Sequence, residues 1–224
     1  RRALDAALTR LDADTLNIAF VAEFSRGKSE LINALFFADF KRRVLPSSAG
    51  RTTMCPTELG WDPARPPCLR LLPIATRNQP GGLADFKRDD AAWIEYPLDL
   101  ESAEALGQTL QHLADTDDAD VASAIALGLI AADDDATRHA LAHDGRIAIP
   151  RWRHAQVNFP HPLLRRGLTI LDTPGLNAIG AEPELTLNLL PAAHAVLFLL
   201  GADTGVTRSD LDIWREFSGR SAGE

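Results

Sequence analysis

Apolar positions along the chain fall into two rhythms, one helical and one strand-like. Leu4, Leu8 and Leu11 recur at helical spacing in a polar stretch and predict a leading amphipathic helix over 1–14. Asn17 to Ala22 is a short apolar run closed by a turn, the pattern of a buried parallel strand. Lys28 to Phe37 returns to helical spacing, with Leu31, Ile32 and Leu35 on one side. Strand-like runs follow at Thr57–Trp61, Leu69–Ile74, Ala155–Phe159, Leu168–Asp172 and Ala195–Leu200. Helices are expected near Glu184–Leu190 and from about Ser209, and Leu45–Pro56, rich in Pro, Ser, Gly and Thr, reads as a loop. From about 76 to 148 the chain turns Ala-, Asp- and Leu-rich, which predicts a helical insertion. Strands alternating with helices predict an α/β domain over 15–224. Its expected form is three layers around a mainly parallel sheet, with one antiparallel strand pair.

Composition narrows the class. At 224 residues and 46% hydrophobic, the chain can bury a sizeable core and is not of the disordered type. A net charge of −8 argues against a surface built to hold nucleic acid, although backbone amides can still hold an anion locally. No apolar run reaches the roughly 18 residues of a membrane span, and no signal peptide opens the sequence. Cys55 and Cys68 lack metal-ligand spacing, so a reducing cytoplasm is the expected setting. The chain opens on Arg1 without a methionine and closes on Ser221–Glu224 just after a helical pattern, so it is expected to be part of a longer protein.

The chemistry begins at Ala22-Glu23-Phe24-Ser25-Arg26-Gly27-Lys28-Ser29, set between a predicted strand and a predicted helix. A phosphate-binding loop needs a strand to deliver it, a tight turn exposing amides, and a helix whose N-terminal dipole faces the phosphates. Lys28 would reach the β- and γ-phosphates and Ser29 would ligate Mg²⁺. Glu23, Phe24, Ser25, Arg26, Gly27 and Glu30 complete the expected nucleotide contacts. The strict pattern wants glycine at Ala22; alanine fits if its φ stays negative. Asp172-Thr173-Pro174-Gly175 follows the predicted strand Leu168–Asp172. An aspartate at a strand's carboxyl end can hold the water shell of Mg²⁺, and the Gly175 amide can meet a γ-phosphate. Between the two lies Arg51-Thr52-Thr53-Met54-Cys55-Pro56-Thr57, where a loop threonine would complete the metal shell only when a γ-phosphate is present.

Together these motifs resemble the bacterial dynamin-like family of GTPases. Val21–Ser29 followed by Leu31-Ile32-Asn33-Ala34-Leu35 is similar to that family's phosphate-binding loop and first helix. Leu45-Pro46, Thr52-Thr53 and Pro56-Thr57 are similar to its first switch, and Leu171–Leu176 to its second. Ala202-Asp203 through Asp210 resembles the loop and helix after the next strand. The likeness covers about Leu16 to Arg215 apart from the insertion. It implies that Thr53, three before Pro56, is the magnesium threonine, alongside Ser29 and Asp172. It further implies that Ser25 faces the β–γ bridge near a monovalent cation, and that Ser25, Lys28, Thr53 and Gly175 serve catalysis. GTP would be the substrate and Mg²⁺ the cofactor. GTPase domains would associate with one another, and parts outside this chain would contact a membrane peripherally. Phe24 stands where eukaryotic dynamins carry a glutamine, and Arg26 where a small residue is usual.

Guanine is read in GTPases by Asn/Thr-Lys-x-Asp at the end of a later strand, and the chain is expected to stop before it. Thr207-Arg208-Ser209-Asp210 imitates the pattern but follows the preceding strand too closely, so Thr207 or Ser209 is expected to cap a helix. Leu176 follows Gly175 where small signalling GTPases place a water-orienting glutamine. Two further readings remain open: a nucleotide-binding regulatory module that hydrolyses poorly, and a P-loop ATPase.

Overall fold

The computed structural model describes residues 15–22, 27–45, 55–133, 135–174, 193–202, 205–208, 210–211 and 214–215. The helices expected over 1–14 and near 184–190 lie outside these.

The first strand, β1 (Leu16–Val21), is followed by helix α1 (Lys28–Phe36), close to the bounds the pattern predicts. Strands β2 (Thr57–Gly60), β3 (Cys68–Pro73), β4 (Ile94–Pro97), β7 (Trp152–Asn158), β8 (Leu168–Asp172) and β9 (Ala195–Phe198) join β1 in one sheet. Their order is β4-β3-β7-β2-β8-β1-β9. Strands β5 (Thr116–Asp120) and β6 (Arg146–Pro150) form a separate two-stranded ribbon.

The expectation of a mainly parallel sheet with one antiparallel pair needs correction, because the sheet is mixed. β1 runs parallel to β8 and β9, and β2 parallel to β7, while β2–β8, β3–β7 and β3–β4 are antiparallel. The reason lies in the connections. A parallel crossover needs a dozen or more residues. Only residues 61–67 join β2 to β3, and only 159–167 join β7 to β8, so both connections reverse the chain.

One face of the sheet presents Phe20, Leu59, Leu69, Leu71, Ala155, Val157 and Ile170. It packs on Ile32 and Phe36 of α1 and on Leu106 and Leu110 of α3 (Ala103–Gln111). Alternate residues of the same strands, Ala19, Val21, Leu72 and Leu171, face the other way. They meet Leu83 and Phe86 of the short helix α2 (Leu83–Phe86) and Trp93. The period-2 alternation of side chains is what divides these residues between two cores.

The segment 76–148 is not purely helical. It holds α2, α3, α4 (Val121–Ala126) and α5 (Asp135–Leu141), but also edge strand β4, all of β5 and the start of β6. Thr116-Asp117-Asp118-Ala119-Asp120 has almost no intrinsic strand propensity. Its extended form is supported by pairing with β6 and by Arg146, which bonds the Asp118 carboxylate and carbonyl. A third small core of Ile74, Val121, Ala124, Leu129, Ile130, Ala140 and Ile149 lies beneath these elements.

Candidate nucleotide site

Parallel pairing of β1 and β8 sets Phe20 level with Asp172, so the two motif-bearing strands end side by side at their carboxyl ends. This is the edge at which open α/β sheets bind ligands. β2 runs the other way against β8, so its first residue, Thr57, also lies level with Asp172. The chain leaving residue 54 therefore enters the sheet at the same edge.

Gly27 caps α1 with φ 84°, a left-handed conformation that glycine adopts without the steric cost a Cβ brings. Nothing lies within 4 Å of where that Cβ would stand, so the backbone angle alone explains the glycine. Leu31 N–H donates to Gly27 O at 2.9 Å, the first bond of the helix ladder. Ala22 is fully buried, and Lys41 is the one non-glycine residue with positive φ among the described residues. Ala22 thus keeps the negative φ that alanine requires.

Lys28 and Ser29 occupy the first turn of α1 and are both buried. Burial pushes the Lys28 ammonium below the ordinary lysine range, and the Asp172 carboxylate pulls it part of the way back. Lys28 and Asp172, 144 positions apart, are therefore electrostatic neighbours. Glu30 points away from this pair, exposed and 3.2 Å from Arg43 Nε. Glu23, Phe24, Ser25, Arg26, Thr53 and Gly175 lie outside the described residues, so the geometry brings together Gly27, Lys28, Ser29 and Asp172.

Thr173 and Cys55 join this edge, and Asn33 lies further along α1; none of the three was singled out as a site residue. Thr173 is buried, and its hydroxyl donates to Phe20 O at 2.7 Å, tying the start of the Asp172 loop to the end of β1. Cys55 is buried at the mouth of β2. Burial pushes its thiol up to about 12; a Thr57 hydrogen bond opposes the rise and the Asp172 charge adds to it. Such a thiol is no nucleophile at neutral pH. Asn33, on the buried side of α1, bonds the backbone of Val44 and Leu45. Its signal in the sequence was a polar residue amid the apolar Leu31, Ile32 and Leu35.

Thr207 is the cap that the sequence suggested. Asp210 N–H donates to Thr207 Oγ1 at 3.2 Å, and Asp210 Oδ2 accepts from Thr207 N–H at 2.9 Å. This reciprocal capping box explains the threonine and the aspartate without any base to read. Among the described residues, no group of three or more His, Cys, Asp or Glu side chains is placed to hold a metal. None of the described helices is long and apolar enough to cross a membrane.

A glycine-led helix at the end of one strand, with a buried acidic strand end beside it, is the layout of the P-loop class of α/β proteins. The model of the Dynamin family matches residues 18–217, and the chain belongs to that family. The bacterial dynamin-like protein of Nostoc punctiforme is 36% identical over 74 residues, covering 33% of this chain and 11% of that protein. The isoniazid-induced protein IniA of Mycobacterium tuberculosis is 44% identical over 61 residues, covering 26% of this chain and 9% of that protein. Two solved chains of an oligomerised bacterial dynamin pair, described as a mechanism for long-range sensing and tethering of membranes, match with TM-scores of 0.49 and 0.47 at 16% identity. Those matches cover 95% of this chain and 32% and 31% of the solved chains. The matched stretch is thus a small part of each curated relative and under a third of each solved chain.

Proposed function

We propose that this chain carries the phosphate-binding half of a Mg²⁺-dependent GTPase that works as a switch on a membrane or protein assembly. The observation that carries the reading is the buried Lys28 beside Asp172 at the carboxyl ends of adjacent parallel strands. A buried cation at a helix start is costly unless an anion is to be held there.

The donor set suits magnesium. Ser29 offers a buried hydroxyl in the first turn of α1, and Asp172 a buried carboxylate facing the same edge. Hard oxygen ligands of this kind, with Thr53 as the third, are what Mg²⁺ takes beside substrate phosphates. When bound, the ion neutralises charge developing on the phosphate oxygens. Lys28 would hold the β- and γ-phosphates. The amides at the start of α1 would orient them, Gly175 would meet the γ-phosphate, and Ser25 would face the β–γ bridge near a monovalent cation. Leu176 and Phe24 offer no polar group to orient water. The missing stabilisation is therefore assigned to a second GTPase domain facing the first across the nucleotide. Contact with a membrane would be peripheral and made by parts outside this chain.

The same absence of polar groups at Leu176 and Phe24 favours a second reading, a nucleotide-binding regulatory module with weak hydrolysis. Turnover of GTP and ATP by the full-length protein, with and without Mg²⁺, separates the readings. Magnesium-dependent GTP turnover is expected. Thr53→Ala is expected to keep diphosphate binding and block hydrolysis, with Thr52→Ala milder. Binding without turnover under any condition would favour the regulatory module, and a preference for ATP would overturn the guanine assignment.

A further inference from the structure

We infer that Asn33 is a positioning residue, through which helix α1 fixes the root of the segment that carries Thr52 and Thr53. The inference rests on the proposed role of Thr53 and adds to it the device that delivers that threonine.

Asn33 lies five residues after Lys28 on α1, about 7.5 Å further along the helix axis, and is buried. Its side chain uses both ends. Oδ1 accepts from Val44 N–H at 3.0 Å and from Leu45 N–H at 2.8 Å, and Nδ2 donates to Leu45 O at 3.2 Å. Two backbone donors on one atom and a backbone acceptor on the other define which end of the amide is which. A leucine of similar size would leave two buried N–H groups and one carbonyl unpaired. An aspartate would keep the two accepted bonds but set a second oxygen against the Leu45 carbonyl.

Val44 and Leu45 are themselves buried in the main core. They are the last described residues before segment 46–54. The far end of that segment is held as firmly. Cys55 is buried, Thr57 Oγ1 donates to Cys55 O at 3.2 Å, and Ala155 N–H donates to Pro56 O at 2.9 Å. The segment thus leaves from one fixed point and returns to another. The leaving point is bolted to the helix that begins with Lys28. Phosphate grip and loop root therefore move as one body, and less chain entropy is lost when Thr53 engages its ligand.

The test uses the full-length protein with Asn33→Ala and Asn33→Asp. Asn33→Ala is expected to lower GTP turnover by about a hundredfold, the scale of a roughly 1 Å misplacement. GDP affinity should hold within about threefold, because Gly27, Lys28 and Ser29 do not depend on the anchor for their bonds to phosphate. Asn33→Asp should fall between wild type and Asn33→Ala. On a Thr53→Ala background, Asn33→Ala should cost little more, since both changes then act through one threonine. If the two losses multiply, or if GDP affinity falls in step with turnover, Asn33 is only a structural residue and the inference is overturned. Amide exchange at Val44 and Leu45 separates this failure from failure of the GTPase reading. Without nucleotide, Asn33→Ala should raise exchange at both amides, and unchanged protection would overturn the anchor itself. A wild type that binds no nucleotide, with those amides still released by Asn33→Ala, would overturn the GTPase reading and with it the delivery of Thr53.

Discussion

Lys28 illustrates how a single side chain can be placed for binding at the expense of stability. Its ammonium is buried, and desolvation outweighs the help it receives from Asp172, so its pKa lies below the ordinary lysine range. A basic group with a depressed native pKa costs stability at neutral pH, where it must be buried charged. Lys28→Met keeps most of the apolar stem and removes the charge. It is therefore expected to raise the melting temperature of the nucleotide-free protein while lowering nucleotide affinity at least about tenfold, since charge-assisted phosphate bonds are worth about 1.5–3 kcal/mol each. Thermal denaturation and titration with a fluorescent nucleotide read the two effects. A variant that loses both stability and binding would show that Lys28 serves mainly to neutralise Asp172.

At the scale of elements, the face of the sheet away from α1 carries a row of polar groups across neighbouring strands. Glu95 of β4, Arg70 of β3, Gln156 of β7 and Glu58 of β2 stand in register. Arg70 bonds Gln156 at 3.0 Å and Asp90 at 2.6 Å, and Gln156 bonds Glu58 at 3.1 Å. Lys87, just after α2, pairs with Glu58, while the fully buried His154 lies 3.5 Å from it. Burial would raise the Glu58 carboxyl, but His154 and Lys87 together hold it well below the usual carboxylate range. Such a group contributes stability that is fully present above its unfolded pKa, near 4.3, and is lost as pH falls through the native value. Glu58→Gln is expected to cost on the order of 1–3 kcal/mol at neutral pH. Urea unfolding at stepped pH should show that gap constant down to about pH 5 and narrowing in stronger acid. A gap that is absent at neutral pH, or that fails to narrow in stronger acid, would mean that Glu58 is not held as an anion.

For the whole molecule, the proposed catalysis is completed between copies. Donors that arrive from a partner can be worth about 10³–10⁵ in rate. Arg26 and Arg51 belong to the motif segments and are the expected candidates to serve either their own site or the neighbour's. Full-length protein is expected to turn over slowly when dilute and to speed up with its own concentration or on liposomes. Turnover per molecule, measured across a wide concentration range, checks this. A flat profile at an appreciable rate would point instead to a group within one chain.

Much of this protein could be read from local pattern. The bounds of α1 and β8, the break at Gly27 and the cap at Thr207 depend on residues within a few positions of one another, and short-range sterics and hydrogen bonding settle them. The likeness of the motifs to dynamin relatives was legible for the same reason, since each motif is contiguous. What remained for the tertiary structure was everything set by partners distant in the chain. Strand order is one case, because the seat of β2 between β7 and β8 is set by pairing with strands distant in the chain rather than by its own four residues. The strand character of Thr116–Asp120 is another, because it exists only against β6. Asn33 is the third: its sequence shows a polar residue on an apolar helix face, and only folding brings Val44 and Leu45 within reach to satisfy it. A pattern within one segment can specify shape, but pairing and burial belong to two segments at once.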